Sequence, residues 1–214
     1  FTNTRNDTVS SGTTLQMAAS GTTVIGGGTF TLSAGGTLGV TSDDGISTSG
    51  GTGNIQTTGR TYTAGSNLIY NGNASQIAGS GLANTTKANV TINNPGNTVT
   101  LSGTTTISAG LTVTAGSTLD VSTYTFSGPT SISLGCGSTT ATAITGTGLI
   151  TLAGPITTTD AGTGTTGATM SAPIALAANR TFTVADDGSS APDLTISGIL
   201  STGFGIVKTG ACYL

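Results

Sequence analysis

Eight aspartates are the only carboxylates in this 214-residue chain; they share it with five lysines and arginines, two cysteines and no histidine or glutamate. A Ser-His-Asp triad, a Cys-His pair and a histidine-based metal site are therefore excluded. Acids adjoin at two places, Asp43-Asp44-Gly45 and Asp186-Asp187-Gly188. Such pairs could serve as an acid-base couple or as calcium ligands. Asp-Gly after a strand is, however, ordinary turn chemistry, and the Gly-Gly-x-Gly-x-Asp calcium repeat of secreted β-rolls does not occur. Both are expected to be turns, with no metal and no cofactor. The basic residues Arg5, Arg60, Lys87, Arg180 and Lys208 are widely scattered and make no anion cluster. Gly26 to Gly28 lacks the Gly-Lys-Thr of a phosphate loop, so a turn is expected there too.

Cys136 and Cys212 are too few for a disulfide scaffold. They are either buried or free thiols, or one bridge made in an oxidising compartment.

The rest of the composition is architectural. Thr (49), Ser (23) and Gly (35) make up half the chain, while charged residues are 6% and aromatics 4%. Thr, Val and Ile favour pleated, half-buried surfaces, and helix formers are nearly missing. The net charge of −3 offers no basic surface for nucleic acid. No apolar run approaches a membrane-spanning helix, so no membrane insertion is expected. Phe1 opens the chain with no charged segment leading into an apolar one. This is expected of a mature secreted or cell-surface product whose signal peptide has been removed.

One grammar recurs along the chain: TFTLS at Thr29, TVTLS at Thr98, LTVT at Leu111, LDVS at Leu119, TFTV at Thr181 and LTIS at Leu194. Apolar residues alternate with polar ones at period two, and each run is bounded by turn residues. A longer motif repeats as AGGTLGV (Ala34), AGSNLIY (Ala64) and AGSTLDV (Ala115). These features predict an all-β chain, either a parallel β-helix (β-solenoid) or a β-sandwich. Near-identical repeats, scarce aromatics and a Thr/Ser outer face favour the solenoid, as a single rod-like domain over residues 1–214. At roughly 20 residues per coil and about 4.8 Å between coils, the rod would have about ten coils and be about 50 Å long. Phe30, Leu32, Val99, Leu101, Leu111, Val113, Leu119, Val121, Phe182, Val184, Leu194 and Ile196 should face inward. In a straight solenoid the 76 residues from Cys136 to Cys212 span about four coils, roughly 18 Å, too far for an internal bridge. Any bond would require the C-terminal strand to leave its own stack, folding back or reaching a neighbouring subunit.

Parallel β-helices also carry polysaccharide lyases and hydrolases, but those need paired acids or a basic cluster. No enzyme is expected. The pairs Thr61/Thr63, Thr98/Thr100, Thr112/Thr114, Thr123/Thr125 and Thr181/Thr183 raise an ice-binding face. In so Thr-rich a chain, strand preference explains them equally well.

The stretch ISGILSTGFGIVKTGACYL (Ile196 to Leu214) resembles the autotransporter-associated β-strand repeat, through Gly203, Gly205, Lys208, Gly210 and Leu214. Cys212 stands where the repeat usually has Gly, and Tyr213 where it usually has Thr. The likeness implies a right-handed parallel β-helix outside a bacterial cell, structural or adhesive in role.

Two functions of different classes result. One is a structural subunit of an extracellular filament, a homopolymer joined head to tail by extended segments at about 1–10 and 204–214. Phe1, Val9, Ile206, Val207, Tyr213 and Leu214 would lie at that interface. The other is a carbohydrate-binding adhesin whose partners are surface glycans. Solenoids that stay monomeric normally cap their ends, and neither segment reads as a cap.

Overall fold

The period-two runs form strands, and the strands stack rather than fold back. A computed structural model describes residues 2, 3, 5–18, 21–201 and 203–211. Among these, short strands and one single-turn helix, Ser80–Ala83, wind into a β-solenoid of about eight turns. Neighbouring rungs pair in parallel; an isolated bridge between Ser138 and Thr166 is antiparallel. Parallel stacking excludes the sandwich, whose sheets are antiparallel.

A nine-stranded sheet runs the length of the rod, from Thr14–Gln16 at one edge to Ile206–Thr209 at the other. Its inward column reads Leu15, Leu38, Leu68, Val90, Leu111, Ile132, Ile156, Phe182 and Lys208, each register partner of the next. The remaining walls are a four-stranded sheet at the N-terminal end, then sheets of six and five strands. Of the residues expected inside, all are buried except Ile196, which is partly buried against the core.

Coils are longer than expected. The shortest takes 21 residues (Leu111 to Ile132) and the longest 30 (Leu38 to Leu68). Hence there are about eight turns rather than ten, and a stack of about 38 Å at the usual rung spacing. The long coil carries an excursion over residues 41–54 that hydrogen bonds pin from within. Buried Asn54 accepts from the Thr41 and Ser42 amides (2.8 and 2.9 Å) and donates to the Thr22 carbonyl (2.7 Å). Arg60 donates to Ser47 Oγ (2.8 Å) and to the Gly50 carbonyl.

The corners share one device. In Ser33-Ala34-Gly35-Gly36, Thr63-Ala64-Gly65-Ser66 and Thr114-Ala115-Gly116-Ser117, the fourth amide donates to the first carbonyl at 3.0–3.2 Å. The third residue has φ of +73° to +80°, where a side chain is strained and glycine is not. The Ala34 and Ala64 motifs lead into the nine-stranded sheet, whereas the Ala115 motif leads into the six-stranded one. The motif therefore encodes a corner plus a strand, not a coil.

Gly26 to Gly28 is not a turn. It lies inside the strand Val24–Leu32, where the register shifts between Gly26 and Thr29. A Cβ on Gly28 would collide with the Arg5 carbonyl, so the glycine admits a neighbouring backbone, as at a bulge.

Candidate functional sites at the two mouths and on one flank

Among the described residues, groups with binding potential lie at each mouth of the solenoid and in one loop on its flank. At the N-terminal mouth, Asp7–Val9 pairs with Phe30, Thr31 and Leu32 of its own solenoid. Val9 is buried there rather than held on a free segment. Asp7, Val9, Leu15, Val24 and Phe30 line an open cavity of about 320 Å³. Asp7 Oδ2 is buried in this mouth without a hydrogen-bond partner.

At the C-terminal mouth, Pro192, Thr195, Ile196, Leu200 and Ile206 line a cavity of about 390 Å³. Ile206 and Val207 belong to the strand Ile206–Thr209, which pairs with Arg180–Thr183. Ile206 is partly buried and Val207 is 55% exposed. Ile199 (73%), Leu200 and Phe204 (47%) are also exposed, so four of the seven large exposed apolar residues among those described fall in this last coil. Lys208 continues the inward column, and its Nζ donates to the Gly210 carbonyl at 3.0 Å. Gly210, at φ +90°, lies where a Cβ would meet the Val184 carbonyl, and Gly205 N donates to Asn179 Oδ1 (2.8 Å). Phe1, Cys212, Tyr213 and Leu214 lie outside the described residues.

The flank site is the loop between the strands Arg180–Thr183 and Leu194–Ile196. Asp187 N donates to Asp193 Oδ1 (2.9 Å), Gly188 N to Asp186 Oδ1 (2.8 Å) and Ser189 N to Asp187 Oδ1 (2.9 Å). One oxygen of each carboxylate thus folds the loop. The Ser189 side chain holds the Asp187 carboxyl below its usual range, against a smaller opposing effect of burial. Asp186-Asp187-Gly188 is the expected turn, with Gly188 at φ +78°. Asp193, six residues on from Asp187, escaped sequence reasoning because nothing local ties it to that pair. Asp43-Asp44-Gly45 is a plain turn, its Gly45 amide donating to the Ser42 carbonyl at 2.9 Å.

Cys136 is fully buried on the strand Ser131–Cys136, paired with Asp160. Burial pushes its thiol up, and Asp193, Asp160 and Asp187 add to that. Two further rungs separate its strand from Ile206–Thr209. Lys87 is buried at a corner and donates to Asn84 Oδ1 and the Thr85 carbonyl, both at 3.1 Å. On the outer face, Thr91, Thr112, Ser133, Thr157, Thr183 and Thr209 form one column. The next position outward reads Asn93, Thr114 and Gly135 in three adjoining rungs, so the Thr-x-Thr pairs make no flat array there.

In comparisons with known proteins, the chain matches no family model, no curated protein and no solved structure.

Proposed function

We propose that this β-solenoid is a non-enzymatic structural rod of an extracellular fibre or surface appendage, stacking head to tail on copies of itself. The observation that carries the reading is the complementarity of the two mouths. The nine-stranded sheet ends at each mouth in an edge strand, Thr14–Gln16 and Ile206–Thr209, whose outward backbone groups can pair with another chain. Continuing the sheet from one copy into the next places Lys208 in the column of Leu15, beside the cavity that holds Asp7. Asp7 is only partly buried, so an incoming ammonium can approach its carboxylate and offset the cost of the oxygen left without a partner. The exposed Ile199, Leu200, Phe204 and Val207 supply apolar area for the same contact. Repetition of one heterologous contact gives an open filament rather than a ring.

Because Asp7–Val9 is the solenoid's own rung, the joint is a stacking of end coils rather than the loan of a free N-terminal strand. The likeness of Gly203, Gly205, Lys208 and Gly210 to the autotransporter-associated repeat supports a place outside a bacterial cell, secreted or at the surface.

The test is a charge exchange. Asp7→Lys and Lys208→Asp, each alone, should abolish filaments in electron microscopy and light scattering, and the double exchange should restore them. Circular dichroism checks that each variant folds. Wild-type protein that stays monomeric at high concentration, or single variants that assemble normally, would overturn the fibre. Binding of the monomer to a glycan array would then favour the adhesin.

A further inference from the structure

We propose that Asp186, Asp187 and Asp193 form a calcium site on the flank of the penultimate coil. The site does not depend on the fibre reading. Three observations converge on it. The carboxylates each offer an oxygen within 4.8 Å of the others. That bound places the three oxygens within reach of one hard cation, since trans oxygens lie about 4.6–5.2 Å apart around Ca²⁺ and about 4.2 Å apart around Mg²⁺. Asp193 is 0% exposed, yet its Oδ2 has no hydrogen-bond partner; Asp187 Oδ2 is likewise enclosed and unpartnered.

The division of labour within each carboxylate is what distinguishes this loop from a solvated acidic turn. The Oδ1 atoms of Asp186, Asp187 and Asp193 are occupied by the amides of Gly188, Ser189 and Asp187. The bond from the Asp187 amide holds one oxygen of fully buried Asp193 and leaves its second oxygen enclosed. A buried carboxylate oxygen with neither donor nor cation is disfavoured, so the enclosed Oδ2 of fully buried Asp193, beside two further carboxylates, marks a place for positive charge. Among the described residues, no lysine or arginine bonds to these carboxylates, and Arg180 Nε donates to the Leu152 carbonyl instead. Exposed Asp186 leaves the site open to solvent on one side, which gives an ion a way in and room for coordinating waters. A wholly oxygen donor set, without histidine or thiolate, selects a hard cation.

Three protein carboxylates completed by water make a weak site, with a Kd of about 0.1–1 mM, the range of extracellular calcium modules. The bound ion would tie the strand Arg180–Thr183 to Leu194–Ile196 across their connecting loop and so stiffen the last coils.

The experiment uses the full chain stripped with a chelator and follows thermal unfolding against added CaCl₂ or MgCl₂. Wild-type Tm should rise by about 5 °C at about 10 mM Ca²⁺, and above the Kd it should climb with the logarithm of the calcium concentration. Mg²⁺ should give less than about a third of that shift, because it dehydrates reluctantly and demands a stricter octahedral geometry than a loop of three carboxylates supplies. Asp193→Asn should lose the calcium shift while Asp43→Asn keeps it. Asp186→Asn, at an exposed position, serves as a second variant should Asp193→Asn fail to fold, and should also lose the shift. No shift in the wild type, an equal response to Mg²⁺, or a full shift in the folded site variants would each overturn the site.

Discussion

Phe182 and Lys208 are register partners in the nine-stranded sheet, so a column that is apolar for eight rungs ends on an ammonium. A charge at that position resists random edge-to-edge association, because burying it without a partner is unfavourable. It also selects a partner that brings a carboxylate. Asp7, with Oδ2 buried at the opposite mouth, meets that description.

Assembly through this contact should therefore weaken with salt. Raising NaCl from about 0.05 to about 0.5 M should slow seeded elongation several-fold, since the charges attract before the mouths close. A rate that climbs with salt would assign the contact to Ile199, Leu200, Phe204 and Val207 alone.

The inward residues were legible in the sequence because period two is a local property: Phe30, Leu32, Leu111 and Val113 alternate with polar neighbours and are all buried. Coil length was not legible. It depends on how far the chain wanders between rungs, and the excursion at 41–54 is held by Asn54 and Arg60, distant in sequence from the residues they bond. The flank site is not legible for the same reason. Asp186 and Asp187 were visible as a pair, but only the fold brings the buried Asp193 oxygen to them. The triple glycine is ambiguous in the sequence because a turn and a bulge use the same residue, and the deciding neighbour, Arg5, is some 20 residues away.

That bulge gives a local prediction. Gly28→Ala places a methyl group against the Arg5 carbonyl, and backbone cannot swing aside as a side-chain tip can. The first rung should detach, so hydrogen exchange at 5–9 should speed at least tenfold while Leu111–Val113 stays protected. Unchanged exchange at 5–9 would mean that the bulge absorbs the methyl.

Stability should pass through a maximum in mild alkali. Burial lowers Lys87 to about 8, against 10.5 for an unburied lysine. Above about pH 8 the native state sheds a proton that the unfolded chain keeps, so stability rises with pH. Burial holds the Cys136 thiol up, and it lifts the Tyr62 and Tyr70 hydroxyls well above their ordinary range. Tyr70 Oη donates to the Ala78 carbonyl at 2.8 Å. The unfolded chain ionises these groups first, from about pH 9 for the thiol and about pH 10 for the phenols, and stability falls again. Urea midpoints should rise from pH 7 to about 9 and then decline. Lys87→Met should remove the rise and leave the decline; a variant that keeps the rise would clear Lys87 of the effect.

Cys136 should be chemically silent in the folded chain. Its side chain is fully enclosed in the strand Ser131–Cys136, and burial together with nearby Asp193, Asp160 and Asp187 disfavours the thiolate that an alkylating reagent needs. Two intervening rungs, each about 4.8 Å thick, lie between that strand and Ile206–Thr209, giving a separation of about 14 Å. A disulfide spans only about 5.5 Å between Cα atoms, so a bond to Cys212 would demand that the chain beyond Thr209 turn back along the rod. Alkylation followed by peptide mapping should label Cys136 only after unfolding, with rates at least about 100-fold apart, as expected when reaction requires opening of the fold. Rapid labelling of the native protein would show that this wall of the solenoid opens locally. Recovery of a Cys136–Cys212 peptide from the non-reduced monomer would show that the C-terminal segment leaves its stack.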